Sequence, residues 1–180
     1  MQKVTVRSNG HYSSEFIPPE TSATSSNQAI TTFNILTYQR RVLPILLAWA
    51  TGSITAGGLW WRSEHSFWRG FGIQFLGWGA IDGLLALAGL RGVANNHAKF
   101  IGELPIAENA RQTKRLEVIF WVNAGLDVLY MVGGKWLIDR PSTPSSKLDR
   151  RGMGWGVIFQ SLFLFFFDLI NALLLNSKRG

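Results

Sequence analysis

Three aspartates, Asp82, Asp127 and Asp168, interrupt stretches that are otherwise built for lipid. Each lies near the middle of its own apolar run of roughly 20 residues, about the length that crosses a bilayer. A carboxyl at that depth is expensive, faces the protein interior as a rule, and marks ion, proton or ligand chemistry by default. No Lys, Arg or His shares their level, so a proton or a bound cation is expected to neutralise them.

Other polar residues share helical faces with these acids, because residues four and eight apart fall on nearly one side of a helix. Gln74, Trp78 and Asp82 form one stripe; Asn123, Asp127 and Tyr130 a second; Gln160, Leu164, Asp168 and Asn171 a third. The first span offers Thr51, Ser53 and Thr55. The candidate ligand- or ion-binding set is therefore Asp82, Asp127, Asp168, Asn123, Gln74, Gln160, Asn171 and Thr51. At a 1.5 Å rise per residue, the three aspartates come to lie roughly 10–14 Å from one set of helix ends. The competing reading treats the same residues as adhesive, since Asp, Asn and Gln can tie helices together at roughly 1 kcal/mol per bond in a membrane.

The elements that must position these residues are four apolar runs, 42–61, 71–90, 118–138 and 155–175, in a chain of 180 residues. They predict an all-α, integral-membrane four-helix bundle over 27–180, preceded by a polar Ser/Thr/Asn/Pro tail, 1–26, that reads as disordered. A helical pattern is expected from Asn27 into the first span, with a kink favoured at Pro44. Pro105 suits the first turn of a helix that begins well before the third span. The first apolar run starts too late for a cleavable leader and is expected to stay as an internal insertion signal.

Basic residues flank the runs, so the net charge of +7 reads as membrane topology rather than nucleic-acid binding. Eleven of the 18 Lys and Arg fall on the side that holds both termini, which predicts cytoplasmic termini in a bacterial inner membrane. Trp60, Trp61, Trp68, Trp136 and Trp155 map to the opposite ends and form an expected interfacial belt.

The chain also reads as a tandem repeat of two helix pairs. Gly57-Gly58-Leu59-Trp60 matches Gly133-Gly134-Lys135-Trp136 at a spacing of 76, which sets Thr51 opposite Asp127. Gly70, Gln74 and Asp82 match Gly156, Gln160 and Asp168 at a spacing of 86. Gly79 and Gly83, like Ala48, Gly52 and Ala56, have the small-xxx-small spacing that lets helix backbones approach.

Several chemistries lack their residues. The chain has no cysteine, no His-Glu-x-x-His and no Gly-x-Ser-x-Gly. His11, His65 and His97 are expected in tails or loops, so neither a metal site nor a cofactor such as haem is expected, and the balance is against an enzyme.

Two stretches, Asn123-Ala124-Gly125-Leu126-Asp127-Val128-Leu129-Tyr130 and Gly154-Trp155-Gly156-Val157-Ile158-Phe159-Gln160 through Asp168, resemble an uncharacterised group of bacterial four-span membrane proteins. The resemblance implies a four-helix membrane fold and points to Asn123, Asp127, Gln160 and Asp168; it carries no function. The residues themselves favour proton- or cation-linked transport or small-ligand binding. The alternative is a non-catalytic scaffold or accessory subunit. The expected partners are the bilayer and a second copy or a larger membrane complex.

Overall fold

Asn34 starts the first helix: its side-chain oxygen accepts from the Leu36 N–H at 2.9 Å and the Thr37 N–H at 3.3 Å, two donors that a helix start leaves orphaned. In the computed structural model, residues 33–102, 104–140 and 147–178 are described. α1 spans Ile35–Trp61, α2 Ser66–Lys99, α3 Ile106–Asp139 and α4 Arg150–Ser177. All four are long and apolar enough to cross a membrane, which makes this a small four-helix membrane protein.

Each helix outruns its apolar stretch. α2 and α3 have 34 residues apiece, about 51 Å of helix against a hydrocarbon core of about 30 Å. Both helices are therefore longer than the hydrocarbon core requires, and His97 sits on α2 rather than in the expected loop. α1 begins at Ile35 within the described residues; the tail and the start of the helical pattern expected from Asn27, residues 27–32, lie outside them. α1 continues as helix through Pro44.

α1 packs on α2 and α3 on α4, and the two pairs meet along α2 and α4. Among the described residues, α2 and α3 make no close backbone approach, and neither do α1 and α4. Glycines set the crossings. A Cβ on Gly57 would come within 2.8 Å of the Gly72 carbonyl oxygen, and one on Gly134 within 2.7 Å of the Gly154 carbonyl oxygen. Between the pairs, Gly70 lies against the Asp149 and Met153 backbone, and Gly152 against the Phe67 backbone. The N-terminal ends of α2 and α4 are pinned further by Asp149 N–H donating to Ser66 O at 3.1 Å and Arg69 Nε donating to Lys147 O at 2.9 Å.

These crossings fix a spatial correspondence between the helix pairs. Gly57 corresponds to Gly134, 77 residues on; Gly72 to Gly154, Gly70 to Gly152 and Phe67 to Asp149, each 82 residues on. The sequence matches run at 76 and 86 instead. For α2 and α4 the packed register thus differs by one helical turn from the register in which Gln74-x7-Asp82 matches Gln160-x7-Asp168. Backbone contact decides the register, and small residues spaced by fours offer several matches to the eye.

At the other end, α1 is clamped to α3. Asn109 Oδ1 accepts from the Ile35 N–H at 2.9 Å, and its Nδ2 donates to the Phe33 carbonyl at 2.6 Å. Ile35, Phe120, Ala172 and Leu175 form the buried apolar cluster beside this clamp. Asn109→Ala removes both bonds and is expected to lower stability by about 1–3 kcal/mol, read as a lower melting temperature in detergent. An unshifted melt would show that the clamp is not made in the membrane.

Candidate functional site

The three aspartates arrive from α2, α3 and α4, and the structure brings them together. The carboxyls of Asp127 and Asp168 lie within hydrogen-bonding reach of each other, and Asp82 interacts electrostatically with both. All three are buried, at 3%, 3% and 5% exposure for Asp82, Asp127 and Asp168. Three buried side-chain atoms among the described residues have no hydrogen-bond partner: Oδ2 of Asp82, Oδ2 of Asp127 and Oγ of Ser161. Two of the three thus belong to this cluster, where an unsatisfied acceptor costs about 1–3 kcal/mol.

The cluster borders a cavity of about 420 Å³ that all four helices line. Its walls are mainly apolar, with Leu46 from α1, Ile81 from α2 and Leu126 from α3. Asn123 lines the same space. Above it, the Trp78 and Tyr130 rings meet edge to face at 4.8 Å and close the gap between α2 and α3. An apolar chamber with a few converging polar groups is the usual form of a small-ligand site. Among the described residues, no group of three His, Asp or Glu is arranged to hold a metal ion.

Four of the eight sequence-derived candidates stand elsewhere. Gln160 is fully buried between α1 and α4, where its Oε1 accepts from Trp49 Nε1 at 2.9 Å and its Nε2 donates to Ser53 Oγ at 3.0 Å. The Asn171 side chain accepts from the Tyr38 hydroxyl and donates to the Phe167 carbonyl. Gln74 is half-buried in the α2–α4 crossing, against Gly156. Thr51 faces outward and donates to its own helix at Leu47 O, 2.8 Å away. A helical stripe tells which side of a helix is polar but not which neighbour that side meets, and this one-neighbour ambiguity separates the two groups.

Trp49 and Tyr38, which the sequence did not single out, complete the α1–α4 contact. The Trp49 ring stacks on Phe163 at 3.7 Å between centroids and lies 6.3 Å from Phe159. A Trp on the stripe of Ser53 was the available signal.

One family model matches the sequence over residues 45–169, which takes in most of α1, all of α2 and α3, and most of α4. The chain belongs to this family of unknown function, DUF6992. The DUF6992 region takes in all three aspartates, Asn123, Trp49 and Gln160, and stops short of Tyr38 and Asn171. No curated protein and no solved structure matches the chain.

Proposed function

We propose that the chain is a membrane protein that binds a small ligand carrying a positively charged hydrogen-bond donor, taken up in exchange for protons at the Asp82–Asp127–Asp168 cluster. The carrying observation is the pair of buried, unpartnered aspartate oxygens beside an apolar-walled cavity of about 420 Å³. A protonated amine bearing an apolar chain supplies what this site lacks: donors for the carboxyl oxygens, charge for a cluster whose electrostatic neighbours are one another, and hydrocarbon for the walls. The Trp78 and Tyr130 rings add π-faces on which an ammonium is favoured. Proton exchange follows because carboxyls that share a hydrogen bond hold a proton between them, and a cation that displaces it sends it to solvent. A bacterial inner membrane with both termini in the cytoplasm fits the distribution of basic residues.

Titration of n-hexylammonium into the protein in nanodiscs, with pH-indicator readout, tests this. Binding with proton release is expected, weakened by about tenfold or more, 1.4 kcal/mol, in Asp82→Asn and Asp127→Asn. Equal affinity for n-hexanol, or no effect of the variants, would leave only a greasy cavity and sink the reading.

The adhesive alternative has its own observations. Gln160, Ser53, Trp49, Tyr38 and Asn171 are mutually satisfied across α1 and α4, as residues that hold helices together are. That set is proposed as scaffold, the aspartates as site.

A further inference from the structure

The correspondence of the helix pairs makes the α1–α4 interface the counterpart of the α2–α3 gap. With α1 matched to α3 at 77 residues and α2 to α4 at 82, Trp49 and Phe163 correspond to Leu126 and Ile81. Ser53 and Gln160 correspond to Tyr130 and Trp78, and Tyr38 and Asn171 to Arg115 and Gly89. Contacts respect this mapping: Gln160 bonds Ser53 where Trp78 meets Tyr130. On the α1–α4 side all three levels are closed, by the Trp49·Phe163 stack, the Gln160–Ser53 bond and the Tyr38–Asn171 bond. On the α2–α3 side one level closes, and the other two hold residues that line cavities instead.

The hollow side extends beyond the aspartate cavity. A second space of about 530 Å³ lies between the α2 and α3 halves that run to the 100–105 connection, and it shares Gln39, Gly89, Leu116 and Ile119 with the aspartate cavity. Its lining is richer in polar groups, among them Asn96, Gln112 and Glu108, the last accepting from Gln112 at 2.8 Å. A Cβ added at Gly92 would meet nothing within 4 Å, so a substituent there stands in open space. In the other direction the route stops at Trp78·Tyr130 and, beyond it, at the glycine crossings of α2 with α4.

We propose that the α2–α3 gap is a water-filled, one-sided access groove, open from the 100–105 end of the bundle to the aspartate cluster and shut toward the tryptophan-rich end. It rests on the reading of the aspartates as a ligand site and supplies that site's sidedness. Protons and hydrophilic cations reach the carboxyls from one membrane face only. Irregular or polar surface at membrane depth is tolerated where it lines such a cavity.

The absence of native cysteine makes the test direct. Gly92→Cys and Asn123→Cys, in proteoliposomes, are expected to react with a charged, membrane-impermeant methanethiosulfonate added on the 100–105 side. Gly125→Cys, two residues from Asn123 on the outward face with nothing within 4 Å, is lipid-covered and is expected not to react. Copying the sealed interface, as Ile81→Phe with Leu126→Trp, is expected to bring the Asn123→Cys rate down to that of Gly125→Cys while the protein stays folded. A reactive Gly92→Cys with an inert Asn123→Cys would overturn the groove, since the water then stops at the mouth. So would modification of Gly125→Cys as fast as Asn123→Cys, or equal reaction from both membrane faces. Labelling does not depend on any ligand. Failed labelling with intact n-hexylammonium binding removes the groove alone, and labelling with no binding removes the carboxylate site alone.

Discussion

Gly152→Ala is expected to destabilise the protein by on the order of 3 kcal/mol, the high end of what overpacking by one methyl costs, and to reduce the yield of folded material. The added Cβ points at the Phe67 carbonyl, and its nearest three neighbours are all backbone atoms. A side chain could swing away; a helix backbone can yield only if α2 and α4 separate. Separation lengthens the Asp149 N–H to Ser66 bond at 3.1 Å and the Arg69 to Lys147 bond at 2.9 Å, which hold the same helix ends. Alanine's better helix propensity returns about 1 kcal/mol, so the net loss remains large. Gly58→Ala and Gly52→Ala are the controls. Neither Cβ meets anything within 4 Å, so the propensity gain stands alone and stability is expected to hold or rise by up to about 1 kcal/mol. Unfolding in detergent by sodium dodecyl sulfate titration separates the three. A Gly152→Ala curve that overlays Gly58→Ala would mean that the two helix pairs do not cross there.

That contrast also shows where the sequence stops being informative. Four apolar runs are visible because hydrocarbon demands them, and the three acids are visible because hydrocarbon forbids them. Pro105 marks the start of α3 through local chemistry that the chain carries on its face, whereas Asn34 and Asp149, which cap α1 and α4, show that role only in the fold. Partner choice has no such local marker. Gln160 and Asp82 both sit on polar stripes, yet one faces Trp49 and the other a cavity; even one stripe divides, since α4 meets α1 at Gln160 and the aspartate cluster at Asp168. The repeat misled in the same way. Gln74 and Asp82 match Gln160 and Asp168 letter for letter, but glycine contacts set Asp82 level with Leu164 and Asp168 level with Ala86, all four of them buried. The third acid, Asp127, is level with Ala50, also buried. No aspartate therefore has an acidic counterpart across the pairs. The site arises from the departure from symmetry rather than from the symmetry itself. Asn109 is the plainest omission: a polar residue near a helix start is common, and only the fold shows that it holds the start of α1.

Gln160→Leu is expected to lower stability by about 2–4 kcal/mol, and Asp82→Leu to raise it by about 1–2 kcal/mol, although both remove a buried polar side chain from the same bundle. The opposite signs follow from satisfaction. Gln160 is 0% exposed, and its two bonds leave Trp49 Nε1 and Ser53 Oγ without those partners when it goes, in surroundings that offer no water. Asp82 has an oxygen with no partner and two acidic neighbours, so its removal relieves repulsion and a desolvation cost. Leucine is also the residue already accommodated at the corresponding position of α4, Leu164, at 8% exposure. A residue kept despite a stability cost is one that binding uses, whereas a residue kept for stability weakens the protein on removal. Chemical denaturation of the two variants beside the parent, with n-hexylammonium absent, reads the signs. If Asp82→Leu proves as damaging as Gln160→Leu, the aspartates belong with the adhesive set and the ligand site is lost. If the signs differ, n-hexylammonium should stabilise the parent and leave Asp82→Leu unmoved, because a ligand raises stability only through its affinity for the folded form.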